Sequence, residues 1–420
     1  MCRLTSRYLI RHPACLPLMV FCLGILLADA NAAQKTAAPH PKPSVAAAAP
    51  EKARDAQLTL GYLGQTRPQA VAPPFFQNAA TDQGVQGALL GIKDNNTTGV
   101  FTHQHFDLKP VVVGPEEDVT QAYRKLLAEG VKHVIADVPP QKLFELSGMP
   151  ESADVRLYNV GSDDDALRGA HCAVNTVHLL PSQAMRADAL AQFLLKKRWQ
   201  KLLLVVGPLE ADKSYAQALK RAVKKFGLKI VEEKQWQHGF DDRRTPESEV
   251  PVFTQGVEYD VALLADTGDL FGHYFPYRTW LPRPVAGTQG LTPRAWYYTH
   301  EQWGALQLQN RFRQQSGRWM TEVDYAAWLA VRAVGEAATR TQSIDYAKII
   351  GFMNSAEFSL AGFKGMPLSF REWDGQLRQP VLLVDNDYPV SVAPLEGFLH
   401  PKNELDTLGM DQAETQCHGR

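Results

Sequence analysis

NTVHLLPSQAMRADALAQFLLKKRWQKLLLVVGPLEADKSYAQALKRAVKKFGLKIVEEKQW, residues 175–236, reads as strand, helix, strand, helix, strand. Ala187, Leu190, Ala191, Leu194 and Leu195 recur at helical spacing, which gives that segment one apolar face. Leu202–Val206 is a short apolar run stopped by Gly207-Pro208, the signature of a strand buried on both faces of a parallel sheet. Tyr215, Ala218, Leu219, Ala222, Val223 and Phe226 form a second helical stripe, and Gly227 caps it. Leu228–Trp236 is again a strand. The segment is an open α/β unit with right-handed crossovers.

The same alternation extends in both directions. Strands are predicted at Leu58–Leu63, Phe106–Val113, Val131–Ala136 and Val155–Val160. Between them lie helical stripes at Val85, Ala88, Leu89 and Ile92, and at Val119, Ala122, Tyr123, Leu126 and Leu127. Downstream, Val261–Ala265 and Pro284–Ala286 are strands, Asp241–Glu249 is a polar loop, and helices are predicted over 294–315, 323–340 and 345–354. Pro380–Val384 is a late strand, and the chain from His400 onward is irregular. Strands alternating with helices at this spacing predict α/β architecture with a parallel sheet covered on both faces. A length of 420 residues predicts more than one core.

The first residues carry an export signal. Arg3, Arg7 and Arg11 precede the apolar run Leu16–Ala28, and Ala30-Asn31-Ala32 offers a small-residue cleavage site before Ala33. Residues 33–57 are rich in Ala, Pro and Lys, without apolar periodicity, and read as an extended linker. Cleavage would leave Cys172 and Cys417, and two cysteines in an oxidising compartment are often a disulfide. Their distance cannot be read from sequence, so the bridge rests on the count alone.

Composition narrows function by exclusion. A formal net charge of −1 gives no reason to expect nucleic acid. The glycines show no G-x-G, no phosphate-binding G-x-x-x-x-G-K and no G-x-S-x-G, and C-x-x-C does not occur. No catalytic residue, metal or cofactor is therefore expected. His103 and His105 read as a solvated face, and Asp163-Asp164-Asp165 as an acidic cap at a helix start.

Several segments together carry a family resemblance: Leu180-Pro181-Ser182, Val205-Val206-Gly207 followed by Ser214-Tyr215, Gly287-Thr288-Gln289-Gly290-Leu291, EQWGALQLQNRF at 301–312 and Asp324-Tyr325-Ala326-Ala327-Trp328. In that order they resemble type I periplasmic binding proteins of branched-chain amino acid ABC transporters. RPVAGTQGLTPRAW (283–296), FKGMPLSFREWDGQLRQPVLLVD (363–385) and EGFLHPKNELDTLG (396–409) are similar to the subgroup that accompanies pyrroloquinoline-quinone-dependent alcohol dehydrogenase systems. The resemblance implies two lobes, 58–181 with 291–362 and 182–290 with 363–398, a tail at 399–420, and three crossings near Pro181, Gly290 and Gly362.

It also implies a ligand cleft where strand carboxyl ends from both lobes face each other, which is independently where open α/β sheets bind. The expected ligand-binding residues are Gln65, Asp137 and Ser162 on the first lobe, and Ser182, Tyr215, Asp266 and Thr267 on the second. Tyr277, Trp280 and Trp296 are candidate aromatic walls, each equally readable as core. Amino acid binders of this family hold the α-carboxylate with a Gly/Ser-rich loop. Here Asp137-Val138-Pro139-Pro140 stands in that place, with two N–H donors removed and a negative charge added.

Three functions follow, in decreasing order of support. One is a periplasmic solute-binding protein, monomeric, serving an ABC permease in a setting of alcohol oxidation. Another is an accessory or sensor protein contacting a quinoprotein dehydrogenase or its cofactor. An enzyme comes last, because no nucleophile and base can be paired. The exported protein should begin near Ala33, and N-terminal sequencing checks this. Intact Met1 in a membrane fraction would reverse the export reading.

Overall fold

The computed structural model describes residues 56–66, 80–237 and 245–417. The leader and most of the linker lie outside them. Among the described residues, no helix is long and apolar enough to cross a membrane.

The first lobe is built on β1 (Ala56–Gln65), β2 (Gln104–Val113), β3 (His133–Asp137), β4 (Arg156–Asn159) and β5 (Thr176–His178), connected through α1 (Val85–Thr102), α2 (Val119–Ala128) and α3 (Pro140–Ser147). These strands form one sheet in the order β2-β1-β3-β4-β5, and every pairing is parallel. The second lobe contains α4 (Gln183–Lys196), β6 (Lys201–Val206), α5 (Glu210–Lys225), β7 (Lys229–Gln235), α6 (Pro246–Phe253), β8 (Val261–Ala265) and β9 (Val285–Gly287). Its sheet, β7-β6-β8-β9, is also wholly parallel. The chain continues through β10 (Thr292–Arg294), α7 (Ala305–Ser316), α8 (Glu322–Thr341) and α9 (Tyr346–Met353). It ends in β11 (Leu360–Ala361), β12 (Pro367–Phe370), β13 (Leu377–Arg378), β14 (Val381–Asp385) and β15 (Tyr388–Ala393), which pair antiparallel.

Each parallel sheet is apolar on both faces, as buried parallel strands require. On the first, Leu60, Tyr62, Ile135 and Tyr158 pack with α1, α7 and α8, and Leu63, Val134, Ala136 and Leu157 pack with α2 and α3. On the second, Leu202, Leu204 and Leu263 face α4 and α5, whereas Leu203, Val205 and Leu264 face Trp236, Phe271 and Phe275. Core membership switches between Leu180 and Met185, between Leu291 and Ala295, and between Leu377 and Val381. The last switch lies beyond Gly362, because the β11–β13 hairpin returns Leu368, Phe370 and Leu377 to the first core.

Local details depart from the sequence reading for identifiable reasons. The helix predicted over 294–315 begins only at Ala305, since Trp303 and Gly304 both take positive φ and restart the chain direction. Asp241–Glu249 is not all loop: Thr245 caps the Ser248 amide and Pro246 occupies the first helical position of α6. In α1 the buried residue is Leu90, not Leu89. Gly87 and Gly91 set that face, for a Cβ at Gly87 would lie 1.9 Å from the Asp324 carbonyl oxygen and one at Gly91 2.7 Å from Val331 Cβ.

The C-terminal tail is anchored at both ends. Leu408 is buried in the second core. Lys225 Nζ donates to the Thr407 carbonyl at 2.8 Å, and the Gly409 amide donates to Asp188 at 2.8 Å. Arg371, itself buried, donates to the Leu405 and Leu408 carbonyls at 3.2 and 2.6 Å. Cys417 is joined to Cys172, with the Cα atoms 5.6 Å apart. Cys172 follows Leu167, which packs with α2 and α3 on the first lobe's sheet.

Two stability predictions follow from these packing facts. A bridge closing a loop of this length restricts the unfolded chain by about 5 kcal/mol in the chain-entropy account. Reductant should therefore lower the melting temperature, and alkylation of unreduced protein should add no mass. Two alkylated thiols would contradict the bridge. His133 is fully buried against the Tyr158 hydroxyl at 2.9 Å, and burial pushes its imidazole down to about 3. Between pH 6.5 and that value the unfolded chain binds a proton the native state does not, so stability falls with acidification, by up to about 1.4 kcal/mol per pH unit. Urea midpoints of His133→Gln should decline less than those of the parent between pH 7 and 5.

Candidate functional site

The loops after β3, β4, β8 and β9 and the first turns of α4, α5 and α8 surround a cleft of about 1980 Å³. Its polar groups come from short loops that are themselves tightly tied. Asn159 holds the loop after β4, accepting from the Ser162 amide at 3.0 Å and donating to the Ser162 carbonyl at 2.8 Å. Asp164 accepts from the Ala166 amide at 2.8 Å, and Asp165 accepts from the Ala184 amide at 3.0 Å, in the first turn of α4. Burial chiefly pushes the Asp165 carboxyl up to about 6. Asp164 and Asp165 thus cap a turn and a helix start, whereas the Asp163 carboxylate pairs with Arg186, and no group of three metal-ligating side chains occurs among the described residues.

The loop after β8 is organised by two buried carboxylates. Asp266 accepts backbone N–H groups of Leu270, Phe271 and Gly272 at 3.0, 2.9 and 2.6 Å. Burial outweighs these bonds and keeps its carboxyl above the ordinary range. Asp212, on α5, accepts the Thr267 amide and hydroxyl at 2.7 and 2.6 Å, and the Leu209 amide at 2.9 Å. Gly207 makes room for it, since a Cβ there would lie 2.2 Å from the Asp212 carboxylate.

Of the seven expected ligand-binding residues, Ser162, Tyr215, Asp266 and Thr267 line the cleft. The other three are not among its lining residues and have structural partners. Gln65 donates to the Pro115 and Glu117 carbonyls, at 3.1 and 3.3 Å, pinning the turn after β2. Asp137 accepts the Tyr62 hydroxyl at 3.2 Å beneath the β4 loop, where Gly161 packs on it. Ser182 is the N-cap of α4, bonded to the Met185 amide. Pro139, Pro140, Tyr277 and Trp280 line the cleft, but Trp296 is core, stacked on Tyr325 at 4.4 Å.

A charged cluster at the cleft floor escaped the sequence reading. Arg186, on the first turn of α4, donates through Nη1 to the Pro293 carbonyl at 2.7 Å and to Glu322 at 3.0 Å. Its Nε lies 3.3 Å from Asp163 yet makes no directed hydrogen bond. Burial opposes the charge on Arg186, but Glu322 and Asp163 hold its pKa above the ordinary value. Burial likewise works against the Glu322 carboxylate, and Arg186 and Arg294 overcome it, so that its pKa lies below the usual range. The neighbouring Tyr215 hydroxyl is buried without a hydrogen-bond partner. Burial raises it, with Arg186 pulling the other way.

No family model matches the chain, and no curated protein matches it. Solved structures do. A branched-chain amino acid ABC transporter periplasmic ligand-binding protein from Burkholderia xenovorans is 14% identical, covers 86% of this chain and 99% of its own, and superposes with a TM-score of 0.66. A leucine-, isoleucine-, valine-, threonine- and alanine-binding protein from Brucella ovis is 14% identical over 79% of this chain and 90% of its own, at 0.60. An ABC transporter solute-binding protein from Rhodopseudomonas palustris, solved with benzoate, is 10% identical over 86% and 99%, at 0.58. The fold is therefore the two-lobed type I periplasmic-binding arrangement, with parallel sheets flanked by helices.

Proposed function

We propose that the chain is an exported, monomeric solute-binding protein that closes its lobes by hinge motion on a small molecule and presents it to an ABC permease. The cleft carries this reading: loops from both lobes contribute polar groups to one cavity larger than a single small ligand needs, as befits lobes that approach on binding. The solved neighbours support it through their shared fold. The stretches at 283–296, 363–385 and 396–409 support placing its use beside quinoprotein alcohol oxidation. The accessory reading, contact with a quinoprotein dehydrogenase, draws on Pro139 and Pro140, which occupy the cleft wall where amino-acid binders present N–H donors.

A thermal-shift screen of a metabolite library tests the first reading, since ligand at a hundred times its dissociation constant adds about 2.7 kcal/mol. Small-angle scattering should show compaction with any hit. Silence across the library would favour the accessory reading. Leucine, isoleucine and valine should give no micromolar binding in calorimetry. The two prolines leave too few donors for their α-carboxylate, although Asp137, withdrawn beneath its loop, plays no part in that exclusion. Micromolar binding of any of the three would overturn it.

A further inference from the structure

Arg186 Nε and the Tyr215 hydroxyl are two donors with little access to water, Arg186 being 9% exposed and Tyr215 4%. Both belong to residues that line the cleft; the Tyr215 hydroxyl has no acceptor, and Arg186 Nε has only the misaligned Asp163 carboxylate, with no directed hydrogen bond. A buried donor without an acceptor is unfavourable, so this pair marks a place where a ligand atom completes the structure. The Ser214 hydroxyl donates to Gln183 at 2.8 Å, which holds the start of α5 against the first turn of α4, and Tyr215 and Arg186 stand beside that contact on the two helices. The charge around them selects the kind of atom. Carboxylates outnumber Lys and Arg two to one among the cleft-lining side chains. Arg186 is already matched by Glu322 and Asp163, and Arg294 by Glu322. A ligand carboxylate at Arg186 Nε would stand against Asp163, whose oxygen is 3.3 Å from that nitrogen. An uncharged oxygen meets no such repulsion.

We propose that Arg186 Nε and the Tyr215 hydroxyl together receive one uncharged oxygen of the ligand, a carbonyl or a hydroxyl. Asp163 takes a ligand hydrogen beside it. The site thereby favours an alcohol or a neutral carbonyl compound over the matching carboxylate. This rests on the solute-binding reading and specifies the ligand class for that same cleft. Tyr277, Trp280 and Tyr297 along the walls make an aromatic skeleton a suitable carrier for the test.

Calorimetry with benzyl alcohol, benzamide and benzoate varies the head group on one ring. Benzamide and benzyl alcohol should bind at least tenfold more tightly than benzoate. Tyr215→Phe, which keeps the ring packing, should weaken benzamide about tenfold with its melting temperature little changed. Asp163→Asn, at a partly exposed position, should raise benzoate affinity and close most of the gap. Benzoate binding as tightly as benzamide in the parent protein overturns the inference, as does benzamide binding unaffected by Tyr215→Phe. No binding of any of the three also overturns it. The solute-binding reading itself falls only if the metabolite library is silent as well, so the two failures are separable.

Discussion

Three passages of chain run between two hydrophobic cores, where the backbone has neither a continuous sheet nor bulk water to satisfy it, and this constraint governs the molecule. A buried N–H or C=O without a partner is costly, so side chains serve the passages instead. Gln376 donates to the His178 and Leu180 carbonyls at 3.2 and 2.9 Å, and Gln379 donates to the Leu179 carbonyl at 2.5 Å. Lys364, 1% exposed, donates to Gln379 and to the Pro380 carbonyl at 2.8 and 3.0 Å. Burial holds its ammonium pKa well below the ordinary lysine value. Passages joined by hydrogen bonds can twist together without first breaking apart, which is the mechanical need of a hinge.

The same need for satisfaction commits several acidic side chains around the cleft to the backbone. Asp165, Asp212 and Asp266 each hold a loop or a helix start through backbone N–H groups. They make the shell that carries the Tyr215 hydroxyl and Arg186 Nε, which have no directed hydrogen bond of their own. Preorganisation of this kind limits what a ligand must order when it binds.

The architecture was legible in the sequence because it is written in periodicity. The runs at 202–206 and 261–265 emerge as central strands, and the stripes at 187–195 and 215–226 as the helices that cover them. Boundaries failed where positive φ at Trp303 and Gly304 broke a helix that composition alone would continue. The site was legible only in part. Polar residues at strand ends include both cleft-lining groups and caps, and Ser182 or Gln65 cannot be told from Ser162 without knowing which backbone groups each must serve. Arg186 was invisible for another reason. Its partners Asp163, Pro293 and Glu322 come from three distant segments, and no spacing announces their meeting.

The Cys172–Cys417 bond turns the chain from the first lobe's last loop to its tail into a covalent ring. The whole second lobe, all three passages and β5 lie on that ring, whereas β1–β4 precede it and enter it by a single strand of chain at Cys172. A protease that cuts once in any exposed loop between those cysteines opens the ring without freeing a fragment. A single nick within the ring therefore cannot release the second lobe from the rest of the chain.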